Sequence, residues 1–294
     1  MKIPDAVIPL LLRLTRANTT FLTAQGARDA VQEEALRPEP YNPPAKIRPD
    51  VNVTVERDGA IPVYTIAPAA GAPTSRLIYT HGGGWVHEIS PYHWKLLFQL
   101  AAEARVTVTA PIWTKLPFGD ARQANDMVLR LYDEVNDAGE EVLLCGDSAG
   151  GQIALSAALA LRDRGVENLR TVLISPALDL SMSNPLSISV LPKDPWLGID
   201  GIRYLGEKWR GDLPLTDPVV SPLHGDMHGL GQMMLFSGTH DVLNPDAHLL
   251  VDKARSAGVE VDFHERRGAV HVFPLLPTPG GAAARERIVR MLRG

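Results

Sequence analysis

The sequence of 294 residues is poor in cysteine and has no excess of basic charge. Its one cysteine, Cys145, excludes an intrachain disulfide framework and a zinc site built from cysteines, so we expect a reducing compartment. Because 29 basic residues stand against 34 acidic ones, the formal charge is −5, and no general positive field is available to bind a nucleic-acid backbone. Nucleic acid is therefore not an expected partner.

The sequence also lacks an apolar run long enough to cross a bilayer. The best candidate, Ala6–Leu12, has seven residues with a proline among them, whereas a transmembrane helix needs about 20. Lys2 precedes this run as in a signal peptide, but Asp5, Arg13 and the absence of a clear small-residue cleavage site count against one. We predict a cytoplasmic protein without stable membrane insertion.

No internal repeat or low-complexity tract is present, which excludes solenoids and propellers. Residues 1–36 are predicted to be helical, and four prolines between positions 38 and 44 end that region. Two β-rich segments, Val51–Arg57 and Ile61–Ala67, then flank Asp58-Gly59, which is a hairpin turn signal. The sheet is therefore predicted to open with an antiparallel hairpin.

From residue 76 onward, strand-like and helix-like segments alternate. The candidate strands are Arg76–Thr80, Val106–Pro111, Glu141–Cys145, Thr171–Ile174, Gln232–Ser237 and Val259–His264. The candidate helices are Pro91–Glu103, Ala121–Asn136, Ala149–Arg164, Asp246–Ala257 and Ala282–Leu292. Several of the strands are continuously apolar, as expected of strands buried on both faces. The pattern predicts an α/β fold, with a mostly parallel sheet between helices, in one domain that spans residues 1–294.

Residues 183–222 interrupt this alternation. The segment contains six prolines together with Trp196, Tyr204 and Trp209, so it is too long for a routine connection and too aromatic for a solvated linker. We interpret it as part of a helical cap over the sheet, shared with residues 1–45 or so, although an ordinary surface subdomain has the same signature. The aromatic residues could line a substrate pocket or simply pack.

The segment Gly146-Asp-Ser-Ala-Gly150 matches G-x-S-x-G, the pattern of a nucleophilic serine at a sharp turn between a strand and a helix. A buried strand leads into it and a helix follows, so Ser148 would have a strained backbone and an exposed hydroxyl. A side chain at Gly146 or Gly150 would clash with neighbouring strands. The first amides of the helix face the site, which suits developing negative charge. A glycine-rich turn with a capping serine is the structural alternative.

The segment His81-Gly-Gly-Gly-Trp85 follows the candidate strand Arg76–Thr80 directly. Its three consecutive glycines allow backbone amides to face a ligand, and acyl transfer needs such donors for the oxyanion of its transition state. By itself the segment could be a flexible turn or a phosphate loop, but it lacks the ending of a P-loop and does not match G-x-G-x-x-G. Its combination with the serine motif favours acyl transfer.

With these two motifs, the sequence resembles the α/β-hydrolases of the hormone-sensitive-lipase-like family of bacterial esterases, in the branch with Gly-Asp-Ser-Ala-Gly-Gly. The resemblance covers residues 76–274. It implies that the amides of Gly83, Gly84 and Ala149 form an oxyanion hole, and that His81 braces the glycine loop without transferring protons. No cofactor is implied, and the spacing of the histidines matches no zinc motif.

In this fold the acid and the base follow the nucleophile in the order Ser, Asp or Glu, His, on loops after late strands. Among the nine histidines, His271 has the expected position, in the loop after the last candidate strand. For the acid, Asp241 follows the strand Gln232–Ser237 in a G-x-x-D-x-L setting similar to that of the family. Asp179, after the preceding strand, is its rival, because some hydrolases with this fold use that position. Asp246, on the next helix, is expected to face solvent.

Residues 111–119 depart from the Tyr-Arg-Leu-Ala-Pro-Glu-like stretch usual in the family, so its substrate preferences do not transfer. We predict a serine carboxylesterase that acts on short- to medium-chain esters through an acyl-enzyme on Ser148. The alternatives are an amide or lactone hydrolase with the same triad, and a catalytically silent binding protein on this scaffold. The expected partner is a small-molecule ester, and the chain is expected to be a monomer or a homodimer.

Overall fold

An eight-stranded sheet forms the centre of the molecule in the computed structural model, which describes residues 3–15 and 18–293. The strands are β1 (Val51–Asp58), β2 (Ile61–Pro68), β3 (Arg76–Thr80), β4 (Thr107–Pro111), β5 (Val142–Asp147), β6 (Thr171–Ile174), β7 (Met233–His240) and β8 (Val261–Val270). Their order across the sheet is β1-β2-β4-β3-β5-β6-β7-β8. The pairs β1–β2 and β2–β4 are antiparallel, and the other neighbouring pairs are parallel. The α/β fold and its antiparallel opening are confirmed.

The helices surround this sheet. They are α1 (Ile8–Leu14), α2 (Thr19–Leu22), α3 (Ala24–Leu36), α4 (Pro91–Gln99), α5 (Ala121–Asp137), α6 (Ala149–Asp163), α7 (Pro185–Val190), α8 (Ile199–Trp209), α9 (Asn244–Ser256) and α10 (Pro279–Arg293). The N-terminal region is helical as predicted, although positions 1–2 and 16–17 of it lie outside the described residues. β7 and β8 both continue beyond their predicted ends, up to the loops that carry Asp241 and His271.

Alternate residues of the central strands pack against helices on opposite faces of the sheet. On β5, Leu144 packs with α5 and α6, whereas Leu143 and Cys145 pack with α4 and α10. Because both faces are covered, β5 must be apolar along its length, which explains its continuous apolar run. The parallel arrangement brings the carboxyl ends of β3, β5, β7 and β8 to one edge of the sheet, where their loops meet.

We call α1–α3, α7 and α8 the cap helices. α2 and α3 pack against α8, so helices from the two regions that the sequence singled out are in contact. The approach is close: a β-carbon at Gly201 of α8 would collide with the backbone carbonyl of Phe21 in α2. Within the described ranges, no helix is both long and apolar enough to cross a membrane.

Candidate active site

The serine of the G-x-S-x-G motif lies at the turn between β5 and α6. Ser148 has φ 53° and ψ −120°, a conformation that residues other than glycine rarely adopt. A β-carbon at Gly146 would collide with the carbonyl of Gly150, and one at Gly150 would collide with the carbonyl of Thr80. The Ser148 amide donates to the Ile174 carbonyl of β6 at 2.9 Å. The strained turn is therefore held by the sheet, and only small residues fit around it.

His271 and Asp241 lie beside this serine. His271 Nε2 is 2.8 Å from Ser148 Oγ, and His271 Nδ1 is 2.8 Å from Asp241 Oδ2. The Leu243 amide donates to the other carboxylate oxygen of Asp241 at 3.0 Å, which fixes the orientation of that group. Asp241 directly follows β7, and His271 directly follows β8. The fold thus brings the three candidates from the ends of three strands into one hydrogen-bonded chain.

The surroundings of His271 fix its tautomer and favour its protonated form. Burial alone would lower its pKa, but the Asp241 carboxylate, together with the charges of Asp194 and Asp147, raises the pKa above its ordinary value. An ionised Asp241 only accepts hydrogen bonds, so His271 Nδ1 carries the proton and donates it. Nε2 is then left with a lone pair directed at the Ser148 hydroxyl, which is the arrangement that a general base requires.

The glycine loop after β3 turns its backbone toward the same place. Gly83 and Gly84 have φ values of 132° and 61°, which glycine adopts without steric cost. The Gly83 carbonyl accepts the His87 amide at 2.9 Å, so this oxygen is engaged within the turn. Ala149 begins α6, and its amide has no acceptor inside the helix. Gly83, Gly84 and Ser148 line a single cavity.

Asp147, the residue before Ser148, joins the glycine loop to the sheet. Its Oδ1 accepts from the Tyr79 hydroxyl at 2.6 Å and from the Gly82 amide at 2.9 Å, and its Oδ2 is 3.1 Å from His93 Nε2. Burial would raise the pKa of this carboxyl, but His93 and the other two donors lower it. Sequence reasoning missed these partners, because they lie 54 to 68 residues away along the chain.

The protonation of His93 follows from its contacts. The Ser90 amide donates to His93 Nδ1 at 2.9 Å, so that nitrogen is unprotonated. Nε2 therefore carries the proton and donates to Asp147. A neutral imidazole and an ionised carboxylate thus support the glycine loop from within the body of the protein.

The segment that departs from the family pattern packs around the first residue of the glycine loop. Trp113 stacks on His81 with ring centroids 5.0 Å apart, and Lys115 Nζ is 2.6 Å from a carboxylate oxygen of Glu88. His81 Nδ1 is 2.7 Å from the Gly82 carbonyl, and burial holds the pKa of His81 well below its ordinary value. His81 is therefore neutral, and it donates to the loop.

Gln152 of α6 joins the glycine loop to the cap helices. Its side-chain oxygen accepts from the indole of Trp85, beside the glycine loop, at 3.1 Å and from the indole of Trp209, in α8, at 3.0 Å. Both indoles are buried in the core, whereas Trp196 lines the cavity. The aromatic residues of the cap thus divide between packing and pocket, which the sequence left open.

A cavity of about 570 Å³ reaches Ser148 and His271, a volume within the range of about 300–1,000 Å³ usual for small-molecule sites. Its walls are mostly apolar and come from cap helices α1 and α2, from the connection between α7 and α8, and from the chain after His271. They include Ile8, Leu11, Leu12, Phe21, Trp196, Leu197, Leu275 and Leu276. Over residues 3–15 and 18–293, no group of three or more His, Cys, Asp or Glu side chains is placed to hold a metal ion.

Two other acidic residues weighed from the sequence lie elsewhere. Asp179, the rival acid, accepts from the Ser181 amide at 2.9 Å and from the Ser183 hydroxyl at 3.0 Å, while Asp241 is the carboxylate on His271. The expectation that Asp246 faces solvent is wrong. It is 1% exposed on the inner face of α9, accepts from Asn184 Nδ2 at 2.7 Å, and burial raises its pKa to about 6.

Known proteins resemble this chain in sequence. The profile of the alpha/beta hydrolase fold family matches residues 77–275. An acetyl-hydrolase of Streptomyces hygroscopicus is 30% identical over 209 residues, which are 68% of this chain and 70% of that protein. An esterase of Acinetobacter venetianus is 26% identical over 271 residues, 90% of this chain and 87% of that protein.

Solved structures show the same fold. The crystal structure of an esterase from the bacterial hormone-sensitive lipase family superposes with a TM-score of 0.84 at 23% identity, covering 100% of this chain and 98% of that one. The sequence motifs, the sheet topology and the matched family profile point the same way. The chain belongs to the α/β-hydrolase fold family and is a carboxylic ester hydrolase.

Proposed function

We propose that this protein is a serine carboxylesterase that forms an acyl-enzyme on Ser148, with His271 as the base and Asp241 as the acid that orients it. The observation that carries the proposal is the pair of 2.8 Å contacts linking these three residues at the wall of an apolar cavity. Similarity to an acetyl-hydrolase and to an esterase supports an ester as the substrate.

Acylation begins at the Ser148 hydroxyl. As Oγ attacks the ester carbonyl, its proton passes to His271 Nε2 over the 2.8 Å contact. The imidazolium that forms is stabilised by Asp241, which already holds Nδ1–H and does not itself take the proton. The same contact keeps the ring from rotating away from the serine.

The carbonyl oxygen becomes an oxyanion in the tetrahedral intermediate. The amides of Gly83, Gly84 and Ala149 are the proposed donors for it, and Asp147 keeps the loop that carries the first two in place through the Gly82 amide. Such donors contribute about 2.7–4 kcal/mol each to the lowering of the barrier in sites of this kind.

The intermediate collapses when the bond from carbon to the alcohol oxygen breaks and His271 gives its proton to the leaving alcohol. A water molecule then attacks the acyl-serine, with His271 as base, and a second collapse releases the carboxylic acid and restores the Ser148 hydroxyl. Each half-reaction returns His271 to its neutral form, because the Ser148 proton leaves with the alcohol and a proton from water later restores the Ser148 hydroxyl. The chemistry therefore needs only the three side chains, the amides and a water molecule.

The mostly apolar walls favour a substrate with a hydrocarbon acyl or alcohol group of short to medium length. The cavity of about 570 Å³ is bounded by the cap residues Leu11, Phe21 and Trp196, which limit how far a chain can extend. Carboxylic esters within that limit are the proposed substrates.

Hydrolysis of p-nitrophenyl esters from acetate to laurate, with Ser148→Ala as the matched inactive variant, tests this function. We expect wild-type turnover that is fastest for short or medium chains, and no turnover above background in the variant. A preference for laurate would overturn the chain-length assignment alone. A wild type as inert as Ser148→Ala on every ester would overturn the esterase assignment and favour an amide or lactone substrate or a silent scaffold.

A further inference from the structure

A carboxylate that the mechanism above does not use lies beside the proposed acid and base. Asp194 belongs to the connection between α7 and α8, and it is 8% exposed. Its Oδ1 accepts the amides of Trp196 and Leu197 at 2.8 and 2.9 Å. Its Oδ2 accepts the amide of Val242, the residue after Asp241, at 2.8 Å. We call the segment that carries Asp194 the cap connection, and the loop that carries Asp241 the acid loop. One side chain of the cap connection thus holds both its own turn and the acid loop.

The turn that Asp194 holds is in contact with the base. The Trp196 ring meets the His271 ring edge to face, with centroids 5.9 Å apart and planes at 86°. Trp196 and Leu197 also line the ester cavity. The backbone that positions these two side chains is the backbone whose amides Asp194 accepts, so this carboxylate determines what packs on His271 from the side of the cap.

Asp194 also acts on the site through its charge. Burial and the neighbouring charge of Asp241 raise its pKa, and its own charge in turn raises the pKa of His271. The charged groups that face His271 are Asp241, Asp194 and Asp147. Of these, Asp241 bonds to the imidazole directly, and Asp147 accepts its three hydrogen bonds from Tyr79, Gly82 and His93 in the body of the protein. Asp194 is therefore the member of the set that links the charge at the base to the conformation of the cap.

We propose that Asp194 is a positioning residue for the esterase reaction, which secures the Asp241 loop, seats Trp196 on His271 and adds a second negative charge that stabilises the imidazolium. In the reaction, Asp194 links the conformation of the cap connection to the basicity of His271. The proposal rests on the assignment of His271 as the base.

The test is the pH titration of the His271 imidazole by NMR, in the wild type and in Asp194→Asn, together with kcat/KM for p-nitrophenyl butyrate. Asparagine keeps the shape and one acceptor oxygen but removes the charge. We expect the His271 midpoint to fall by roughly half a pH unit or more, because one of its stabilising charges is gone. We expect kcat/KM to fall by about 10-fold, because the acid loop loses an anchor.

Asp246→Asn is the matched control, because Asp246 is also a buried aspartate, bonded to Asn184 beside α7, but it does not contact the triad. It should leave the His271 midpoint and kcat/KM as in the wild type. Asp194→Glu restores a carboxylate and should return the midpoint toward the wild-type value. Asp194→Ser is a second neutral variant in case Asp194→Asn does not fold.

An unchanged His271 midpoint in a folded neutral variant would overturn the proposal, and so would an equal shift in Asp246→Asn. Failure of the proposed function has a different signature, which is the absence of ester turnover in the wild type. The NMR titration does not depend on turnover, so it decides in either case whether the charge of Asp194 acts on His271.

Discussion

Two buried aspartates near Ser148 each accept three hydrogen bonds, yet their pKa values move in opposite directions. At Asp147 the donors include a histidine N–H and a phenol, and they overcome burial, so the pKa falls. At Asp194 burial and the neighbouring Asp241 carboxylate outweigh the three backbone amide donors, so the pKa rises. The number of hydrogen bonds does not decide the charge state of a buried acid. The kind of donor and the presence or absence of a second carboxylate beside the acid do.

The difference also divides the site into two parts. Asp147 supports the glycine loop with groups from β3 and α4, which belong to the body of the protein. Asp194 supports the acid loop from the connection between two cap helices. Changes near Asp147 should therefore weaken oxyanion stabilisation, and changes near Asp194 should alter the position and the pKa of His271.

The largest effect is expected on the side of the base. In Asp241→Asn the amide can donate to His271 Nδ1 and force the proton onto Nε2, where it faces Ser148 Oγ. We expect kcat on p-nitrophenyl butyrate to fall by about 10⁴-fold. Asp179→Asn, at the position of the rival acid, should keep wild-type kcat. A large loss in Asp179→Asn with little in Asp241→Asn would reverse the assignment of the acid.

A smaller loss is expected on the side of the glycine loop. In Asp147→Asn the side-chain NH2 group faces the N–H of His93, so that two donors meet. If His93 moved its proton to Nδ1 to avoid this, it would lose the hydrogen bond from the Ser90 amide. We expect a loss of about 1–3 kcal/mol in the free energy of unfolding and of about 10- to 100-fold in kcat/KM.

Tyr79→Phe serves as the control for that change, because it removes one donor to Asp147 and leaves the carboxylate. It should show a weaker form of the same pattern in urea unfolding and in kinetics. A wild-type kcat/KM in folded Asp147→Asn would mean that the glycine loop does not depend on this network.

The pH dependence of activity tests the part of the site that contains the base, without mutation. His271 must be neutral to accept the serine proton, and its pKa is raised above the ordinary value of about 6.5. kcat/KM should therefore fall about tenfold per pH unit on the acid side, with a midpoint above that value. Measurement from pH 5 to 9 checks this, and a midpoint below the ordinary value would contradict the electrostatic account of the base.

The smallest effect concerns stability alone. The folded pKa of Asp246 is raised to about 6, so the wild type loses stability as the pH rises from the unfolded pKa toward 6. Asp246→Asn removes this loss and keeps an acceptor for Asn184. Its melting temperature relative to the wild type should therefore be higher at pH 8 than at pH 4, with activity unchanged. A relative melting temperature that does not rise between these pH values would show that burial of this carboxyl costs nothing.

The sequence was sufficient to predict those parts of the site whose positions follow from the order of strands and helices along the chain. The turn at Ser148 was predicted from local sequence, because the G-x-S-x-G motif lies between a buried strand and a helix. The contacts that require its glycines are made within the turn and with Thr80 of the neighbouring strand β3. The positions of Asp241 and His271 followed from the ends of β7 and β8, since parallel strands bring those ends together.

The remaining contacts depend on packing between distant segments, which local pattern does not encode. Asp147 meets His93 across 54 residues because α4 packs beside the glycine loop, and Asp194 meets Val242 across 48 because the cap connection crosses the acid loop. The error at Asp246 was avoidable. It stands four residues before Leu250 and eight before Ala254, on the buried face of α9.

The proposed chemistry depends on Ser148 being a nucleophile that His271 activates. The most direct measurement is reaction with a fluorophosphonate, followed by mass spectrometry of the peptides that carry the adduct. We expect one adduct per chain, on Ser148, at a rate that falls strongly in His271→Ala. An unmodified Ser148 in the folded wild type, or a rate unaffected by His271→Ala, would contradict the proposed chemistry.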